Sequence, residues 1–242
     1  MYSYCSLFIL LFSNAYAFNI SNRSIFIKKS IISASTAIAT SNFIINKPSY
    51  ANDIYDFDNK SQSSFLVERN NCNVYFYGDV SLQSCILLRK AIEDASYNSK
   101  LIHTLYNIDK PPPIKLYITT FGGSLQPTFG IVDYIKSLDT EIHSIVDSYV
   151  ASAGTLISIV CDKRYIRKHS YMLLHQLSGG VNGQLNKIEE DVENMNSFTN
   201  TLKEIYVENS LIKNNEIDDI LKHDIWWNSQ KCLQYGIIDY II

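Results

Sequence analysis

Val150-Ala151-Ser152-Ala153-Gly154 places a serine among small residues where a strand-like run gives way to a helical one. Residues 142–146 read as a strand and 153–160 as a helix, so the chain turns from one to the other at Ser152. The same alternation recurs outward in both directions. Residues 73–78 form a strand ending at Gly78, followed by a helix over 81–97 that carries Leu82, Ile86, Leu87, Ile92 and Ala95 at helical spacing. Pro111-Pro112-Pro113 stiffens the approach to a strand at 114–118. A glycine break at Gly122-Gly123 precedes a helix through Phe129, Ile131, Val132 and Ile135. Tyr165-Ile166 and residues 171–174 are further short strands. Strands alternating with helices make this an α/β chain.

Around Ser152 lie the parts of an acyl-transfer site. Gly123 stands 29 positions before it, and His175 stands 23 after it in the apolar run Met172-Leu173-Leu174-His175-Gln176. A serine hydroxyl is a weak nucleophile until a base takes its proton, and the base needs an acceptor at its other nitrogen to hold one tautomer. A later aspartate would supply that acceptor; Asp218, Asp219, Asp224 and Asp239 are the candidates by residue type. A histidine in an apolar run is more often a satisfied core residue, and a serine before a helix is often only a cap. His103, His143, His169 and His223 have no comparable setting and read as surface or supporting residues.

A further helix spans 183–209. Leu185, Ile188, Val192, Met195, Phe198, Leu202 and Ile205 step by three or four, with charged and amide residues on the other faces. Such a seam packs on its own sheet or meets another copy of itself.

The 242 residues, 46% hydrophobic and 19% charged, suit one globular domain with extensions. The formal charge of −3 conceals an asymmetry: residues 1–51 contain no acid and four basic side chains, which leaves −7 on the remainder. An acidic body lacks the basic footprint that nucleic acid requires. Cys5, Cys72, Cys85, Cys161 and Cys232 show neither paired spacing nor a C-x-x-C, so no zinc site or disulfide framework is expected.

The first fifty residues read as an address. Residues 1–17 have a short apolar core and end in the A-x-A pattern Ala15-Tyr16-Ala17, a signal sequence too short to span a bilayer. Residues 18–51 have transit-peptide composition, and 52–64 a loose mature N-terminus. Two addresses in series resemble the leaders of proteins sent to complex plastids through the secretory route. Lys28-Lys29 followed by an apolar 31–45 and Ser49-Tyr50-Ala51 also fits a second export signal, to a thylakoid lumen, and a secretory destination is a further alternative.

Residues 74–242 resemble the proteolytic subunit of Clp-type ATP-dependent serine proteases, within the wider Clp/crotonase group. The resemblance is carried by Tyr117-Ile118-Thr119-Thr120-Phe121-Gly122-Gly123-Ser124, by Tyr149-Val150-Ala151-Ser152-Ala153-Gly154, and by Leu174-His175-Gln176 with Gly179-Gly180 and Gly183-Gln184. His223-Asp224-Ile225-Trp226-Trp227 and Leu233-Gln234-Tyr235-Gly236-Ile237-Ile238-Asp239 complete the order. It implies a spiral of strand-strand-helix units with a protruding long handle helix. Ser152 would be the nucleophile, His175 the general base and Asp224 the orienting carboxylate. The backbone N–H groups of Gly123 and Ala153 would form an oxyanion hole, and a peptide would lie beside Gly123-Ser124-Leu125. No metal or cofactor is implied.

The resemblance further implies two stacked seven-membered rings, alike or mixed, enclosing a chamber. An AAA+ unfoldase would supply unfolded proteins and spend the ATP, since no G-x-x-x-x-G-K-[ST] loop occurs here. Phe121 stands where the family usually has proline, Ala153 where it often has methionine, and Lys115 where an aromatic or apolar residue usually lies near the unfoldase-docking pocket. Three alternatives stand beside a serine endopeptidase: an inactive ring subunit, a signal-peptide-peptidase-like serine protease, and an acyl-CoA-binding crotonase-type enzyme. The peptidases of the second kind pair serine with lysine, and crotonase-type enzymes do not need these three residues.

Overall fold

Along residues 114–120, Ile114, Leu116, Ile118 and Thr120 are buried, while Lys115, Tyr117 and Thr119 between them are not. That period of two belongs to a strand with one covered face. In the computed structural model, which describes residues 65–242, this stretch lies inside an eight-stranded sheet. The strands are β1 (Phe65–Asn70), β2 (Asn73–Gly78), β3 (Ile114–Thr120), β4 (Ile142–Ala151), β5 (Lys163–Ile166), β6 (Tyr171–Leu173), β7 (Trp226–Asn228) and β8 (Tyr240–Ile241). Their order is β1-β2-β3-β4-β5-β8, parallel except for the antiparallel β1–β2 pair. Beyond a register shift, β4 changes partner: His143–Val146 pair with β5, and Tyr149–Ala151 pair with β6, which in turn pairs antiparallel with β7. The sheet therefore branches where the candidate site residues lie.

Parallel neighbours need crossover connections, and helices supply them. They are α1 (Leu82–Tyr106), α2 (Leu125–Lys136), α3 (Ala153–Ile159), α4 (Leu185–Glu208), α5 (Ile217–Leu221) and α6 (Ser229–Gln234). Helix α1 starts at a reciprocal cap: the Ser84 N–H donates to Ser81 Oγ, and the Ser81 N–H to Ser84 Oγ. Leu88 and Ile92 of α1, Ile131 and Ile135 of α2 and Leu156 of α3 join Val74, Phe76, Ile118 and Val146 of the sheet in one core. Each such side chain contributes about 1.5–3 kcal/mol on full burial.

The expected α/β architecture with a long handle helix is what the chain adopts. Helix α1 runs nine residues past the expected end at 97, and β4 runs to Ala151 rather than Val146. Strands β1, β7 and β8 and helices α5 and α6 have no counterpart in the periodicity; three of these five are two to five residues long, and the other two have six. The seam on α4 has two fates: Leu202 and the adjacent Tyr206 are buried, while Leu185 and Val192 are 69% and 44% exposed. The leader segments expected over 1–17 and 18–51, and the loose stretch 52–64, lie outside the described residues. His143, expected at the surface or in support, is instead buried, with Nε2 3.2 Å from Glu141 Oε2. Burial pushes the thiols of Cys161 and Cys232 up to about 12 and that of Cys85 up to about 11, so these cysteines behave as small core hydrophobes.

The C-terminal part is fastened by Arg164. Its guanidinium and backbone N–H donate to Asp239, with Nη2–Oδ1 at 2.6 Å and N–Oδ2 at 2.8 Å. Burial alone would raise the Asp239 carboxyl; the Arg164 hydrogen bonds and charge outweigh it and hold the group below the ordinary carboxylate range. A depressed carboxylate stabilises the fold above its ordinary pKa, and that contribution is lost as pH falls through the lowered value. Asp239→Asn is expected to lower stability at pH 7 by about 2 kcal/mol, a charged hydrogen-bond loss. In melts followed against pH, its deficit should shrink once pH drops below about 4.

Candidate active site

The sheet's branch ties Ser152 to the strand that leads into His175 and sets His175 beside Asp224. Ser152 follows β4, and its N–H donates to the carbonyl of Leu173 on β6 at 2.9 Å. His175 lies two residues beyond Leu173. Across the antiparallel β6–β7 pair, Leu173 faces Trp226; carried two residues further, that register sets His175 opposite Asp224. The side chains agree, with His175 Nδ1 3.6 Å from Asp224 Oδ1. This is an ion-pair separation, longer than a hydrogen bond. Asp224 is the candidate carboxylate that meets His175, whereas Asp218 pairs with Lys203 and Asp239 with Arg164. Met172, Leu174 and Trp227 point into the core, so His175 falls on the opposite, open face, 21% exposed, and is no core histidine. Asp224 is 79% exposed.

Ser152 has φ 52° and ψ −128°, a backbone conformation that L-residues avoid. The turn is enforced from both sides. Leu173 holds the N–H, and the Thr155 N–H and Oγ1 both donate to the Ser152 carbonyl, at 2.9 and 2.6 Å. Gly122 closes in from a third direction: a Cβ there would lie 2.6 Å from Ser152 Cβ and 3.1 Å from the Ala153 nitrogen. Only a residue without a side chain fits.

Gly123 presents its amide to the same region. Val80 donates to the Gly122 carbonyl and accepts from the Ser124 N–H, both at 2.8 Å. In a trans peptide the N–H points opposite to the C=O, and no cis bond occurs among the described residues. The Gly123 N–H therefore points away from Val80, toward the β4 side of β3 where Ser152 sits. The Ser124 N–H is already committed, and Leu125 opens α2, so within this stretch Gly123 offers a passing peptide its backbone groups.

Phe121, Tyr149 and Trp226 form a three-ring cluster on the open face, with centroids 4.3 Å apart for Phe121–Tyr149 and 6.3 Å for each contact to Trp226. They bridge the ends of β3, β4 and β7. Of the pair Trp226-Trp227, Trp227 is buried and Trp226 serves this surface cluster. Sequence reading passed over Thr155 and Tyr206. A hydroxyl one helical turn after Ser152 was the available signal for the first, and a tyrosine beside the apolar seam for the second. Among the described residues no group of His, Cys, Asp and Glu is placed to hold a metal ion, and no helix is long and apolar enough to cross a membrane.

Comparison with known proteins identifies the family and the fold. The family described as Clp protease matches residues 68–242. A protein of Streptococcus pneumoniae named ATP-dependent Clp protease proteolytic subunit is 31% identical over 163 residues, covering 65% of this chain and 83% of that one. Proteolytic subunit 1 of the corresponding protease of Protochlamydia amoebophila is 29% identical over 164 residues, covering 65% and 79%. A solved point mutant of ClpP1 from Listeria monocytogenes shares the fold with a TM-score of 0.57 at 22% identity, over 71% of this chain and 91% of that one.

Proposed function

The chain belongs to the Clp protease family and is a serine-type proteolytic subunit, and from this we propose that Ser152, His175 and Asp224 carry out peptide hydrolysis. Ser152 Oγ bonds to the carbonyl carbon of the scissile peptide as its proton passes to His175 Nε2, the nitrogen turned away from Asp224. The carbonyl oxygen becomes an oxyanion facing the N–H groups of Gly123 and Ala153. The protonated imidazole then gives its proton to the leaving amine, and water releases the acyl group by the same route. The single observation that carries this reading is the strained turn at Ser152, wedged against Gly122 and tied to the strand that leads into the His175–Asp224 pair.

Incubating the protein with a fluorophosphonate should add one phosphonyl group, located on Ser152 by peptide mass spectrometry. A chain that stays unmodified under conditions that label other serine hydrolases would be an inactive ring subunit, the reading favoured by the open 3.6 Å gap between His175 and Asp224.

The substrates of this proposal are unfolded proteins, delivered by an AAA+ unfoldase into a ring of like or mixed subunits. Two seven-membered rings would stack through the exposed half of α4, and native mass spectrometry reads the stoichiometry. On the open sheet face, Lys115 is exposed beside the stacked Tyr75–Tyr117 pair, and Asp147 binds both Tyr77 and Arg167. An unfoldase docking there must offer polar groups as well as apolar ones. The composition of residues 1–51 supports a plastid destination, with a thylakoid lumen or the secretory pathway as the alternatives.

A further inference from the structure

Tyr206 of α4 is fully buried, the largest such side chain among the described residues. Its hydroxyl lies 2.5 Å from Thr155 Oγ1. Thr155 Oγ1 spends its own proton on the Ser152 carbonyl at 2.6 Å, so within this pair the tyrosine is the donor. The hydrogen bonds run in one direction, from Tyr206 O–H to Thr155 Oγ1 to Ser152 C=O. Burial pushes the Tyr206 phenol above its ordinary range, so the donor keeps its proton at every working pH.

The chain ends on a peptide plane that matters. The Ser152 carbonyl and the Ala153 N–H belong to one trans peptide and point in opposite directions. Two donors from Thr155 on the carbonyl oxygen hold that plane, and so hold the direction of the Ala153 N–H. With φ 52° at Ser152, the plane is not in a conformation the backbone would keep unaided. We propose that Tyr206 and Thr155 are positioning residues that aim the Ala153 N–H at the oxyanion. The proposal rests on the protease reading above and adds to it a pair of residues on α3 and α4 that never touch substrate. It also predicts where the effect appears: a donor aimed at charge that develops only in the transition state alters kcat and leaves KM alone.

The test uses the full assembled protein, a fluorogenic peptide and the rate of fluorophosphonate attack on Ser152. Loss of an entire oxyanion donor typically costs about 10²–10³-fold in kcat, and misaiming one costs less. Tyr206→Phe, which keeps the ring and its packing, should lower kcat about tenfold with KM within about twofold, and slow labelling in parallel. Thr155→Val should lower kcat by up to about a hundredfold, while Thr155→Ser, which retains the hydroxyl, stays near wild type. Because Tyr206 acts through Thr155, the double variant should be no worse than Thr155→Val alone.

Wild-type kcat in both Tyr206→Phe and Thr155→Val overturns the proposal, as does a change confined to KM or an equal loss in Thr155→Ser. If Tyr206→Phe does not assemble, the Val and Ser variants at 155 decide the matter by the same criteria. A wild type that neither cleaves the peptide nor takes the label overturns the protease reading, and this inference with it. An active wild type with unaffected variants overturns this inference alone.

Discussion

Ser152→Ala is expected to abolish peptide cleavage while the protein folds and assembles as before. Alanine removes only the hydroxyl; the variant would keep the hydrogen bond to Leu173 and the two from Thr155, which involve backbone atoms of residue 152. Loss of a serine nucleophile in enzymes of this type lowers kcat on the order of 10⁶-fold, and the remainder comes from binding and the oxyanion donors. Hydrolysis of a fluorogenic peptide is the measurement, with native mass spectrometry as the check on assembly. Cleavage retained by the purified variant would remove Ser152 from the mechanism.

Gly123→Ala should produce the second large loss, for a different reason. A Cβ at this position would lie 2.1 Å from the Val80 carbonyl oxygen, a backbone atom that cannot rotate away, and φ is +146°. Either the Val80–Gly123 bridge opens or the turn changes shape; in both cases the Gly123 N–H leaves its aim. Cleavage should fall by at least about 10²-fold. Melts should show a destabilisation of about 2 kcal/mol or more, in the range of backbone strain and lost hydrogen bonds. Gly130→Ala is the matched control: it lies in the interior of α2 with nothing within 4 Å of the added methyl, and helix propensity favours alanine there by about 1 kcal/mol. Equal behaviour of the two variants would mean that the turn at 123 is not part of the site.

Much of this site was legible before any coordinates, and the reasons differ by residue. Ser152, Gly123 and His175 sit in local patterns, a strand-to-helix turn, a glycine pair and a short apolar run, each of which local sterics imposes on a few adjacent residues. Asp224 was separable from Asp218, Asp219 and Asp239 only through family-like spacing, because what selects it is the antiparallel register of Leu173 with Trp226, a contact between residues more than fifty positions apart. The open face on which His175 lies follows from the strand's period of two rather than from its neighbours' type. Met172, Leu173 and Leu174 suggest an apolar environment, yet alternation in a strand sends only every second residue inward. Tyr206 and Thr155 were missed because one is drawn into an amphipathic helix and the other into a short buried helix, where neither stands out by type. Their significance comes from a hydrogen bond across 51 positions.

The contorted main chain at Ser152 sets this position at odds with the rest of the molecule. Glycine would occupy those angles with less strain, so thermodynamics on its own disfavours the residue that chemistry requires. Robustness and turnover thus pull in opposite directions at one atom's distance, and a copy freed from hydrolysis could drift to glycine at 152 and become a sturdier, silent member of the assembly.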